Sequence, residues 1–129
     1  MTEWIMVPEN YKEYHAFVYV INHKTKPGYY IGQKSFWKAV RRKPLKGQKR
    51  IRKDRVESNW RSYWGSSEKF KEFVEQEGKE NFNRIILSLH KSKSGTSYAE
   101  LMHQINADVL RDPNSFNGII NVRLNKILE

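Results

Sequence analysis

Eleven lysines and arginines fall between residues 34 and 55, against a single acid, Asp54. The formal charge of the 129-residue chain is +10, so the remainder, with 13 bases and 13 acids, balances to zero. The cations are Lys34, Lys38, Arg41, Arg42, Lys43, Lys46, Lys49, Arg50, Arg52, Lys53 and Arg55, with Arg61 just beyond. Each such side chain that neutralises a phosphate releases condensed counterions, so this concentration of charge makes a salt-sensitive polyanion site. Other residues carry donor chemistry more sparsely. With no cysteine, thiolate-bound zinc and structural disulfides are both excluded. His15, His23, His90 and His103 are too scattered to read as a metal cluster. Glu100 is a hard oxygen donor of the kind Mg²⁺ takes one or two at a time. The run Ser97-Tyr98-Ala99-Glu100 also reads as an S-x-x-E capping box, and spacing does not separate the two roles.

The elements that must position these residues follow from apolar patterning. FVYVI, residues 17–21, is a continuous β-branched and aromatic run, as expected of a strand covered on both faces. NHKTKPG turns the chain and YYIG resumes the strand, which gives a β-hairpin with a seven-residue connection. SFWKAVRR predicts two turns of helix, stopped by Pro44 and Gly47. Phe36, Trp37, Trp60, Tyr63 and Trp64 are expected to anchor this long basic segment to the core, with base stacking as their other use. SSEKFKEFVEQEG has a serine cap, apolar Phe70, Phe73 and Val74 on one face, and Gly78 as terminator, the marks of a helix. NFNRIILSLH predicts a strand with Phe82, Ile85, Ile86, Leu87 and Leu89 in the core. In SYAELMHQINADVLRD, Tyr98, Leu101, Met102, Ile105 and Val109 fall at helical spacing, and Asp112–Pro113 ends the element. The expected fold is α+β: a small, mainly antiparallel three-stranded sheet flanked by helices, with a long basic insert at residues 34–55. One domain of 129 residues is expected, with its core at about residues 16–121. The N-terminus lacks a signal-peptide layout and no apolar run approaches a bilayer span, so a cytoplasmic protein without a membrane partner is expected.

These residues resemble a known family. FVYVI, its turn and YYIG look like the paired motifs of the GIY-YIG nucleases, with Tyr19 and Tyr30 in the two tyrosine positions and Gly32 closing the second. The first motif departs from the pattern, reading F-V-Y for G-I-Y. YIGQKSFW, ESNWRSYWGSSEKF, GKENFNRIIL and SYAELMHQ extend the similarity, over about residues 16–121, to Seg-like GIY-YIG proteins encoded by phages. The resemblance implies a DNA endonuclease using one Mg²⁺ or Mn²⁺ held by Glu100. Tyr19 would act as general base, Tyr30 would position water or phosphate, and an arginine on the helix after the second motif would grip the phosphate. Arg41 and Arg42 fit that arginine, or Arg61 if the insert shifts the alignment. A late asparagine is also implied, Asn117 or Asn121. Holding a free phenol ionised at pH 7 costs about 4 kcal/mol, which a neighbouring cation such as Lys34 would reduce. Phosphodiester hydrolysis needs an activated water, a cation on the phosphoryl oxygens and help for the leaving oxygen. The partner implied is DNA, bound by a monomer or weak dimer. A non-catalytic nucleic-acid-binding protein on the same scaffold is the alternative.

Overall fold

The computed structural model describes residues 3–128. Its strands are β1 (Trp4–Ile5), β2 (Ala16–His23), β3 (Tyr29–Ser35), β4 (Trp37–Arg42), β5 (Arg52–Glu57) and β6 (Phe82–His90). The helices are α1 (Glu68–Glu77) and α2 (Lys93–Asn106), with short 3₁₀ turns at Tyr11–Glu13, Trp60–Ser62 and Lys79–Asn81. The fold is α+β, but its sheet is not the expected antiparallel three-stranded one. It has four strands in the order β1-β6-β2-β3, and β1 runs parallel to β6. Trp4 is what secures that short extra strand: its ring meets Phe17 and Tyr19 edge-on, and its Nε1 donates to the Trp60 carbonyl (2.7 Å).

The basic segment is not a helix-bearing insert. Lys34 and Ser35 complete β3, and the residues after them form a separate two-stranded antiparallel sheet, with β4 running Trp37↔Glu57 to Arg42↔Arg52 against β5. Trp37 and Val40 favour extended backbone, and Pro44 leaves no length for a helix to nucleate. Cross-strand pairing therefore overrides the modest helix preference of Arg and Lys. At the root of this ribbon the aromatic residues do anchor it. Phe36 and Trp60 are fully buried, and the Trp37 indole donates to the Tyr14 carbonyl (3.0 Å).

The central hairpin forms as its sequence suggests, with His23 already inside β2, so the link is shorter than seven residues. His23 Nδ1 accepts from the Thr25 and Lys26 amides (3.1 and 3.0 Å), and its Nε2 lies 3.1 Å from Glu77. It is a turn brace. Residues of alternate parity on β2 face opposite layers. Phe17, Tyr19 and Ile21 meet an aromatic core with Trp60, Phe70 and Phe82, while Val18 meets Ile31 and Val109. Leu87 was expected in the core but is exposed. The register jumps from Val18↔Ser88 to Tyr19↔Ile86, leaving Leu87 as the extra residue of a β-bulge.

Helix α1 has its expected cap, with the Phe70 amide donating to Ser67 Oγ (3.2 Å), and ends at Gly78 with φ +90°. Helix α2 departs from its sequence reading in two ways. It begins at Lys93, capped by Ser92, whose Oγ accepts from the Gly95 amide (3.0 Å), so Ser97–Glu100 is not a capping box. It also packs through small and polar residues: Gly95, Thr96 and Gln104 are buried, while Tyr98, Met102 and Ile105 are exposed. Ala99 lies against Val18 and Ile31, and its small size allows the close approach that turns the bulky apolar stripe outward. Val109, just past the helix, is buried as expected. None of the helices among the described residues is long and apolar enough to cross a membrane.

Candidate active site at the edge of the sheet

Strand β3 is an edge strand, and the chain after α2 closes it. The Tyr29 amide donates to the Asn114 carbonyl (3.1 Å) and the Phe116 amide to the Tyr29 carbonyl (2.8 Å). The Asn117 side chain then imitates a peptide group. Its Oδ1 accepts from the Ile31 amide (3.0 Å), and its Nδ2 donates to the Ile31 carbonyl (2.8 Å). Gln104 Nε2 donates to the same carbonyl (3.2 Å). The residues on both sides of Tyr30 are thus held from outside the sheet, so Asn117 positions the second motif. Asn121, the other candidate asparagine, stays exposed at the mouth of the adjacent cleft.

Tyr19 and Tyr30 meet over Gly32. Tyr19 pairs with Gly32 across the two strands, and a Cβ at Gly32 would lie 2.5 Å from the Tyr19 hydroxyl and 3.0 Å from Tyr30 Cε2. Only a residue without a side chain lets both rings cross here. Ring centroids of the two tyrosines are 6.3 Å apart. Tyr30 stacks on Phe70 (5.7 Å), and its hydroxyl exchanges a hydrogen bond with Ser66 Oγ (2.9 Å). Tyr19 is 1% exposed, and its phenol is pushed well above its usual range, chiefly by burial and then by Tyr63, Tyr30 and Glu100. The expectation that Lys34 would ease its ionisation is not met. Lys34 sits 4.4 Å above the Tyr63 ring instead, and burial and Lys38 lower its own pKa.

Glu100 comes from α2 on the opposite side of β3. It shares with Tyr30, Gln104, Asn117 and Asn121 a cleft of about 180 Å³. Gln33 Nε2 donates both to Glu100 Oε1 and to Ser97 Oγ (3.2 Å each). Burial raises the Glu100 carboxyl, and the Gln33 hydrogen bond opposes that rise. The donor set suits a hard cation. A half-buried carboxylate with neutral oxygens beside it is charge that burial penalises and a divalent ion would compensate. Among the described residues no three His, Cys, Asp or Glu side chains gather, so any such ion would rely on one protein carboxylate, water and phosphate oxygens.

The arginine candidates do not join this group. Arg41 and Arg42 lie on β4, out on the ribbon rather than on a helix, and Arg42 pairs with Asp54 (3.5 Å). Arg61 stacks on Trp60 (4.4 Å) and donates to the Tyr11 hydroxyl (3.0 Å), on the aromatic side of the sheet. With β4 in place of the expected helix, Lys34 on β3 is a basic side chain that reaches the tyrosine pair through a shared neighbour, Tyr63, whose ring is 6.1 Å from that of Tyr19. Sequence reasoning missed Gln33 and Ser66, and gave Tyr63 only an anchoring or base-stacking use rather than a place beside Tyr19. Parity along β3 could have placed Gln33 on the Glu100 side, whereas the contacts of Tyr63 and Ser66 are long-range and carry no local signal. It also missed buried Arg84, whose guanidinium lies between Trp4 and Trp64 (4.7 and 4.4 Å), donates to the Tyr63 carbonyl (2.8 Å), and is lowered by burial to about 10.

Paired tyrosines of a Y-I-G hairpin beside a helix-borne glutamate mark the GIY-YIG class. A family model described as "Putative endonuclease segE, GIY-YIG domain" matches residues 2–121, and the chain belongs to this Seg-like GIY-YIG family. No curated protein and no solved structure matches it.

Proposed function

We propose that the protein is a divalent-metal-dependent endonuclease that hydrolyses DNA phosphodiester bonds at the cleft between β3 and α2. The observation that carries this reading is Glu100, a half-buried carboxylate that shares one cleft with the Tyr30 ring and has only neutral partners. Glu100 would hold one Mg²⁺ or Mn²⁺, its carboxylate fixed by the Gln33 amide, which Ser97 Oγ in turn helps to hold. When bound, such an ion supplies Lewis-acid polarisation of the phosphoryl oxygens and lowers the pKa of water. The chain's own residues do the positioning. Tyr30, half-buried and tied to Ser66 near the surface, offers a hydroxyl to water or to a phosphoryl oxygen. Lys34, desolvated on Tyr63, supplies a fixed positive charge to the phosphate in place of an arginine. Tyr19, buried and held neutral, acts as an aligned hydroxyl rather than a standing phenolate. The β4 and β5 cations, Lys38, Arg41, Arg42, Arg52, Lys53 and Arg55 among them, bind the backbone away from the scissile bond.

Incubating supercoiled plasmid with the protein in Mg²⁺, in Mn²⁺ and in EDTA tests this. Nicked or linear product is expected with either ion and none with EDTA, and the Glu100→Ala variant is expected to lose it. Full cleavage in EDTA, or undiminished cleavage by Glu100→Ala, would leave a nucleic-acid-binding protein as the better reading.

A further inference from the structure

The ribbon of β4 and β5 is an unusual thing for a small fold to keep. It forms a sheet of its own, every residue from 41 to 55 is exposed, and only its root is packed on the aromatic core. A two-stranded hairpin without a covering layer is marginal in water. Its register makes matters worse, because Arg41 stands opposite Lys53 and Arg42 opposite Arg52. Directly opposed like charges destabilise a strand pair. Arg55, lying 4.4 Å over the Trp37 ring, and Arg42, 3.5 Å from Asp54, relieve only part of that repulsion. Leu45 and Ile51, each about half exposed, flank the tip. Folding alone does not account for these features, but a polyanionic partner does.

The shape narrows the partner further. Two strands lie about 4.8 Å apart, so with side chains the ribbon is roughly 10 Å across and its six-residue strands about 20 Å long. B-DNA's major groove is about 12 Å wide and admits a two-stranded ribbon, whereas the minor groove is about 6 Å wide. We propose that the β4–β5 ribbon enters the major groove of duplex DNA, its opposed cation pairs meeting guanine edges and the phosphates that flank them. The apolar tip residues then face a groove wall that carries thymine methyl groups. This takes duplex DNA as the partner from the nuclease reading but does not depend on cleavage.

Methylation interference separates the grooves. Dimethyl sulfate marks guanine N7 in the major groove and adenine N3 in the minor. Lightly methylated duplex would be bound by the full-length wild-type chain in EDTA, and the marks in bound and free fractions compared. Guanine marks should be depleted from the bound fraction about 3-fold or more at contacted positions, with adenine marks evenly shared. The Arg52→Ala/Lys53→Ala double variant should bind about 10-fold more weakly near 0.1 M salt, flatten the log–log salt dependence by about two, and lose the guanine pattern. It should melt close to wild type, since it removes two like-charge pairs along with one exposed hydrogen bond, from Arg52 Nε to the Lys43 carbonyl (3.2 Å). Evenly shared guanine marks, depletion of adenine marks alone, unchanged binding by the double variant, or no duplex binding would each overturn the proposal. A chain that shows the guanine pattern yet never cuts plasmid would keep this inference and lose the nuclease. One that cuts without the pattern would do the reverse.

Discussion

At Glu100 two demands on one carboxylate oppose each other: the cleft desolvates it, and any cation it serves needs it ionised. Burial raises its pKa in the folded chain. A carboxyl raised on folding costs stability once pH exceeds its unfolded value, and that cost disappears when pH falls far enough for both states to be protonated. Glu100→Gln should therefore raise the melting temperature of the metal-free protein at pH 7, and the gain should vanish as pH drops below the ordinary glutamate range. Added Mg²⁺ should stabilise the wild type and leave the variant unmoved, since ligand that binds only the folded state raises its stability. Melting curves across pH, with and without Mg²⁺, check both statements. The second residue on which the site turns is Gly32. A methyl there meets the Tyr19 hydroxyl at 2.5 Å, and buried Tyr19 has nowhere to retreat. Gly32→Ala should cost about 1–3 kcal/mol by overpacking, read from chemical denaturation, and should reduce cleavage by displacing both rings.

Among the elements, β3 is the one on which the proposed site depends most, an edge strand held from two sides. Its second motif is clamped by a side-chain amide rather than by another strand. Asn117→Ala should leave the Ile31 amide, and part of its carbonyl's bonding, unsatisfied, costing about 1–3 kcal/mol. Hydrogen exchange at the Ile31 amide should quicken more than at Val18 in the strand interior, and equal protection in both proteins would count against the clamp. The element scale is also where sequence reading divides most cleanly. The β2–β3 hairpin and α1 were legible because their signals are local: a β-branched run, a Pro-Gly turn, a serine cap, a terminal glycine. The ribbon was not, because in WKAVRR the extended preference of Trp37 and Val40 competes with the helix preference of its Lys, Ala and Arg, and pairing with the distant RKDRVE decides between them. The buried face of α2 was not either. Tyr98, Met102 and Ile105 fall at core spacing, yet small residues at 95, 96 and 99 set which side meets the sheet.

Across the whole molecule, charge and carboxylate are kept apart. The net +10 resides in residues 34–55, most of it on the ribbon, while Glu100 sits on the far side of β3, facing neutral donors. That residues 34–55 concentrate the net positive charge was legible from composition alone; that most of them form a ribbon whose arginines stay out of the cleft was not. DNA affinity should accordingly fall steeply with salt, and Glu100→Gln should leave that slope unchanged because it lies outside the basic surface. A slope near zero in fluorescence anisotropy would remove the ribbon from binding. The most direct test of the account joins the two halves: plasmid nicking in Mg²⁺ and duplex binding in EDTA, both measured on wild type and Glu100→Gln. The expected result is equal binding with cleavage by the wild type only. Equal cleavage by both proteins, or binding without cleavage of any DNA by the wild type, would contradict it.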